Sequence, residues 1–299
     1  MISSEEKLEI FKKLREFSAN SLYKVLKELL KSDKQISETD LRDAWLKELR
    51  TNNEIFEDGW YMPPPHGSIV LFGNCDDLEK NRINYESARP EDKWPKDNVF
   101  LDKENGIMSA YVSPIDKKTG IIGDFAITIY FGKDEEIINH LKLCYSINKE
   151  VFNKIEVGMK LKNVYKIANE IIAKNNFVND VACITDKSSV AVMGHTIPWS
   201  YEAISNEEIT IINGSDWEKA KDLISNKRKF TNNVEELEIK PGMAFTIEPR
   251  PIDPNNKKIP MALFHTVCVF HENGSKELIT NFEEIFKLTS MDYMLEGKQ

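Results

Sequence analysis

The segment Ile239–Pro251, IKPGMAFTIEPRP, restricts the fold of this chain more than any other stretch. It sets one acid, Glu248, in an otherwise apolar run and carries proline near both ends. Pro241-Gly242 reads as a turn that launches a strand over Met243–Ile247, and Pro249 and Pro251 end its ladder because neither ring nitrogen can donate. Glu248 is therefore expected at a strand end. There it either reaches solvent from an edge or is buried against a proton or a cation.

A chain of 299 residues with 41% hydrophobic content can bury a large core, as one big domain or two small ones. Its net charge of -9 argues against a nucleic-acid backbone or an anionic membrane surface as the main partner. Cys75, Cys144, Cys183 and Cys268 are far apart and form no CxxC pair, so all four read as reduced core thiols. The N-terminus MISSEEKLEIFKKL is charged where a secretory leader would be apolar, and no apolar run approaches the length of a membrane span. A cytoplasmic location is the expectation.

Ser4 to about Ser32 is predicted as a long amphipathic helix, capped by Ser3 or Ser4, with Leu8, Phe11, Leu14, Leu22, Val25, Leu26, Leu29 and Leu30 on its core stripe. A second helix opens at Ser37, in a capping-box pattern, and runs to about Arg50. The proline-braced turn Trp60–Gly67 holds His66 at the entrance of a strand over Ser68–Phe72, as an exposed loop residue or a functional one. Residues 74–97 read as a polar surface excursion. Gly106–Ser113 and Gly123–Phe131 read as a hairpin, with Asp124 opening its second strand as a solvated turn acid or a ligand. Helices are predicted over Glu135–Glu156 and Leu161–Asn175.

An extended run over Val178–Met193 leads to Gly194-His195-Thr196-Ile197-Pro198-Trp199, where His195 can be held at a turn with its ring inward. Residues 205–238 are charged, with one helix-like segment over Ser215–Ile224, and read as a surface insertion. Pro260–Phe270 is predicted as a strand carrying His265, followed by a turn at 271–275, a strand over Lys276–Thr280 and a small capping element over Phe282–Leu295.

Asp124, His195, the PGMAFTIEP strand with Glu248, and the His265-Thr266-Val267 strand occur in an order that resembles the creatinase/methionine aminopeptidase superfamily. The resemblance covers roughly the whole chain, without the extra N-terminal domain of prolidases and creatinase. It implies one α/β (α+β) pita-bread domain over 1–299: a curved, mainly antiparallel sheet with helices on its outer face and the site in its concavity. Family aminopeptidases hold two metals with two aspartates, a histidine and two glutamates. Asp124, His195 and Glu248 match three of these, whereas the first aspartate falls at Ser113 and the last glutamate at Phe264. The family's second histidine falls near Glu202, and His66 lies where many members place a substrate-contacting histidine.

Three functions follow from the resemblance. One is a C–N hydrolase with a single divalent metal (Mn, Fe, Co or Zn) on Asp124, His195 and Glu248. Another is a metal-free, creatinase-like amidinohydrolase in which His195 moves the proton and Glu248 orients the substrate. His195, Glu248 and His265 are the expected catalytic residues. The last is a non-catalytic binding module. A small-molecule or short-peptide substrate is expected, with His66, Trp199, Glu202 and Phe264 as its contacts, and a homodimer is allowed. Aromatic side chains at Trp199 and Trp217 are expected to wall the pocket, with the 205–238 block as one rim.

Overall fold

The computed structural model describes residues 2–57, 68–77, 82–83, 94–179, 191–214, 216–256 and 258–295. The turn at 60–67 with His66, and most of the 178–193 run with Cys183, lie outside the described residues. Helix α1 (Ser4–Leu29) starts on a capping box in which Ser3 and Glu6 satisfy each other's backbone N–H groups, and α2 (Glu38–Leu49) starts on the same device at Ser37 and Asp40. Strands β1 (Ser68–Asn74), β2 (Gly106–Val112) and β3 (Phe125–Tyr130) follow, then α3 (Glu135–Lys154) and α4 (Leu161–Lys174). Helices α5 (Asn206–Ile212) and α6 (Trp217–Asn226) lie in the charged block. Strands β4 (Ala244–Ile247), β5 (Thr266–Phe270) and β6 (Lys276–Ile279) precede α7 (Glu283–Leu288) and a 3-10 turn over Asp292–Met294.

The single curved sheet expected from the resemblance is corrected by the observed topology. The chain has an α+β architecture with two separate three-stranded antiparallel sheets, in the orders β1-β2-β3 and β4-β5-β6. The break has a local cause. Only Thr266–Phe270 of the predicted 260–270 strand enters a ladder, paired with β4 and β6. The preceding residues meet β3 through the Thr128 hydroxyl, which accepts the Leu263 N–H at 2.8 Å and lies 3.3 Å from the Leu263 carbonyl. One backbone bond, from His265 N–H to the Ala126 carbonyl at 3.1 Å, completes the contact. A side chain thus takes the positions that a continuous ladder would give to backbone groups.

Helix α1 packs closely at the start of β3 because residue 123 is glycine: a Cβ there would lie 2.5 Å from Leu14 Cβ and 3.1 Å from Arg15 N. One apolar cluster joins α1, α2 and the first sheet. A second joins α3 and α4 to the second sheet through Val151, Leu161, Val164, Phe245 and Phe270. Cys75, Cys144 and Cys268 are free and buried, and burial pushes all three thiols up.

Candidate active site

Four side chains from distant parts of the chain converge where the two sheets meet. Asp124 immediately precedes β3, Glu248 follows β4, His265 precedes β5, and His195 sits in the segment bridged to Phe230 while its neighbour Thr196 is bridged to Phe245. The last placement depends on Gly194, whose φ is +142° and where a Cβ would lie 2.0 Å from the Thr246 carbonyl oxygen. The approach lets the His195 N–H donate to Thr246 Oγ1 at 2.9 Å, and the same hydroxyl donates to Glu248 Oε1 at 3.0 Å.

His265 lies between the two acids. Its Nδ1 donates to Asp124 Oδ2 at 2.8 Å, and its Nε2 is paired with Glu248 Oε2. Tyr111 donates its hydroxyl to Asp124 Oδ1 at 2.8 Å. His195 completes the set, with Nε2 3.9 Å from Asp124 Oδ2 and 3.8 Å from Glu248 Oε1, while Nδ1 lies 3.1 Å from the Thr196 carbonyl. That carbonyl can only accept, so Nδ1 carries the proton in the neutral ring and Nε2 is its basic nitrogen.

The electrostatics follow from burial and these partners. Burial alone would raise the Asp124 and Glu248 pKa values, but the His265 charge beside them outweighs it and holds both below the usual carboxylate range. Burial would likewise lower the His265 pKa, and the charges of Glu248 and Asp124 reverse that, raising it above the ordinary histidine value. His195 goes the other way: burial, then Arg228, hold it low against the pull of Asp124 and Glu248. The two imidazoles of the site are thus shifted in opposite directions.

Arg15, fully buried in α1, is a supporting residue that the sequence reading missed. Its guanidinium donates to the carbonyls of Asp124 and His265, and to that of Thr280 at 2.9 Å. Its signal was present: at helical spacing from Phe11, Ser18 and Leu22, it places a charge on the apolar stripe. Tyr111 and Thr246 were also missed, because a tyrosine or threonine in a strand is ordinary β-sequence until its hydroxyl partner is known.

The residues expected to contact substrate lie in different surroundings. Trp199 is wholly buried, with its carbonyl held by Lys7 Nζ at 2.6 Å and its ring against Gly120, so it is a core residue rather than a pocket wall. Phe264 is buried with Tyr145, Phe282 and Phe286, at ring separations of 5.5, 6.0 and 6.2 Å, and belongs to the same core. Glu202 pairs with Lys227 Nζ at 2.8 Å. Trp217 packs on Phe56 at 4.7 Å. The 205–238 block does reach the site at its far end, where residues 229 and 231 bond to the backbone of 193–196 beside His195.

The single divalent metal expected on Asp124, His195 and Glu248 does not fit this arrangement. A cation needs donor lone pairs aimed at one point, whereas each carboxylate here has one oxygen on the His265 ring and the other on a hydroxyl. Among the described residues no group of three or more His, Cys, Asp and Glu side chains is arranged to hold a metal ion.

The profile of metallopeptidase family M24 matches residues 9–273. Among curated proteins none matches the chain by sequence. Among solved structures, the chain is similar to a dipeptidase from Pyrococcus horikoshii OT3, with 19% identity, TM-score 0.56, and coverage of 90% of this chain and 60% of that one. It is similar to an X-Pro aminopeptidase from Thermotoga maritima MSB8, with 12% identity, TM-score 0.59, and coverage of 93% and 62%. A methionine aminopeptidase from Rickettsia prowazekii gives 13% identity, TM-score 0.61, and coverage of 93% and 98%. Such identities show the fold alone, and the chain spans about 60% of the length of the first two structures. No described helix is long and apolar enough to cross a membrane.

Proposed function

The chain belongs to metallopeptidase family M24, and from that premise we propose that it hydrolyses a C–N bond of a small amide, amidine or short peptide, with His195 rather than a metal moving the proton. The observation that carries this reading is the set of His195: its Nδ1 lies 3.1 Å from the Thr196 carbonyl, its Nε2 3.8–3.9 Å from two buried carboxylates, and burial holds its pKa low. In the proposed step Nε2 takes a proton from a water whose oxygen adds to the substrate carbon. The C–N bond then breaks, and the proton passes from Nε2 to the leaving nitrogen.

Asp124 and Glu248 face the imidazolium formed midway and offset its charge. Substrate approaches from the side of His195 and Glu248, which retain 5% and 7% exposure while Asp124 has none. Arg250, 3.8 Å from Glu248 and one-fifth exposed at its side chain, adds a positive charge on that side. We read 1–299 as one domain with 205–238 as an insertion, supported by the pairing of 229–231 along 193–196.

The test is a library of dipeptides, small amides and amidines, assayed with and without chelator. Turnover that survives chelation and falls about a hundredfold or more in His195→Ala supports the reading. Turnover lost on chelation and restored by Mn or Zn would replace it with the one-metal hydrolase. Saturable binding without turnover would favour the non-catalytic module.

A further inference from the structure

We propose that His265 is a built-in replacement for the family's metal: its ring clasps Asp124 and Glu248 across the space that a divalent cation would need, and keeps that cation out. The inference rests on the metal-independent reading above and deepens it.

The stereochemistry is specific. Each ring nitrogen faces a carboxylate oxygen, Nδ1 toward Asp124 and Nε2 toward Glu248, and a carboxylate can only accept, so both nitrogens carry hydrogen. A ring held in this way has no lone pair to give a cation: its Nδ1 takes one from Asp124, and its Nε2 lies against Glu248 as an ion pair. The remaining oxygens are held by the hydroxyls of Tyr111 and Thr246. Two carboxylates with no positive group between them would repel, and the ring supplies that group in the manner of a metal.

The backbone just before β5 accounts for the placement. Phe264 and His265 lie outside the ladder, and their side chains part company there. Phe264 enters the aromatic core with Tyr145, Phe282 and Phe286, and His265 turns to the acids. Backbone contacts hold the residue in that register. The His265 N–H donates to the Ala126 carbonyl at 3.1 Å, its carbonyl accepts from Arg15, and the Tyr111 ring packs edge-on to the imidazole at 5.5 Å. Removing the ring would leave Asp124, His195 and Glu248, one histidine and two acids around the vacated volume, a donor set suited to a divalent transition metal.

Calorimetric titration of Zn, Mn and Co into the chelator-stripped full chain tests the proposal without any assay of turnover. The wild type should show no saturable uptake that depends on Glu248. His265→Ala should gain one metal per chain, at least tenfold tighter than the wild type, and the gain should vanish in His265→Ala/Glu248→Ala. Site binding by the wild type that Glu248→Ala abolishes would overturn the proposal, as would no gain in a folded His265→Ala. Should that variant not fold, proton NMR of the wild type decides: the far-downfield Nδ1–H signal of His265, bonded to Asp124, is expected to persist in excess Zn, and its loss with stoichiometric uptake would overturn the inference. Because neither readout involves a substrate, failure of the hydrolase reading in the library assay leaves these outcomes separately measurable.

Discussion

Replacing Arg15 by methionine removes a side chain that ties α1 to both halves of the site. The guanidinium is fully buried, lies 5.3 and 5.6 Å from the ring centres of Phe125 and Phe282, and donates to the carbonyls of Asp124, His265 and Thr280. Burial lowers its pKa to about 10, partly opposed by Asp124, so it stays charged at neutral pH. Exchanging a buried ion for an apolar residue is often harmless when its partners can be exchanged too. Here the partners are backbone carbonyls, which no substitution removes. Each buried acceptor left without a donor costs about 1–3 kcal/mol. Thr280 is only partly buried and water can serve it, so the expected loss is about 4 kcal/mol, a large fraction of the 5–15 kcal/mol typical of a folded domain. With a urea m-value of about 3 kcal/mol/M, the midpoint should fall by about 1.3 M. Arg15→Lys keeps the charge but gathers its donors on one atom, so it should recover about half of that shift. A midpoint within about 0.3 M of wild type for Arg15→Met would refute the clamp.

Other outcomes follow from the same structure. Gly194→Ala meets the Thr246 carbonyl and a φ that alanine rarely adopts, so it should cost about 2 kcal/mol or more in thermal unfolding. Because the displaced neighbour is His195, turnover should fall as well. Burial lowers the pKa of His140 to about 4, so between pH 6.5 and 4 the unfolded chain binds a proton that the folded one refuses. Stability should decline as pH falls through that window, by up to about 3 kcal/mol, and urea titrations of His140→Leu should lack that part of the slope. Phe264→Glu restores the family residue in sequence but drives a carboxylate among Tyr145, Phe282 and Phe286. It should destabilise by about 3 kcal/mol or more without metal uptake, and a stable, metal-binding variant would show that the face assignment at 264 is wrong.

Elements with a local code were legible in the sequence. The cap at Ser3 or Ser4, the capping box at Ser37 and the apolar spacing behind them place α1 and α2 to within a few residues. Asp124, His195, Glu248 and His265 were legible as acids and imidazoles in runs otherwise given over to burial, where an ionisable side chain needs a partner. The choice of partner was not legible, because it depends on where the residues flanking each strand turn. A final glutamate aligned at Phe264 suggests a lost ligand and an apolar pocket wall. The observed geometry puts that phenylalanine in the core and hands the site-facing place to the next residue. The split of the sheet was hidden for a related reason: Thr128 reads as a β-former, and only its hydroxyl on Leu263 shows that it interrupts a ladder. In both cases one residue of register decides the outcome. A period-two sequence pattern fixes that register only when a polar residue sits opposite a known partner. Here the partners lie more than a hundred positions away, as Asp124 does from His265, so the chemistry of the site becomes readable only once the two strand ends are brought together.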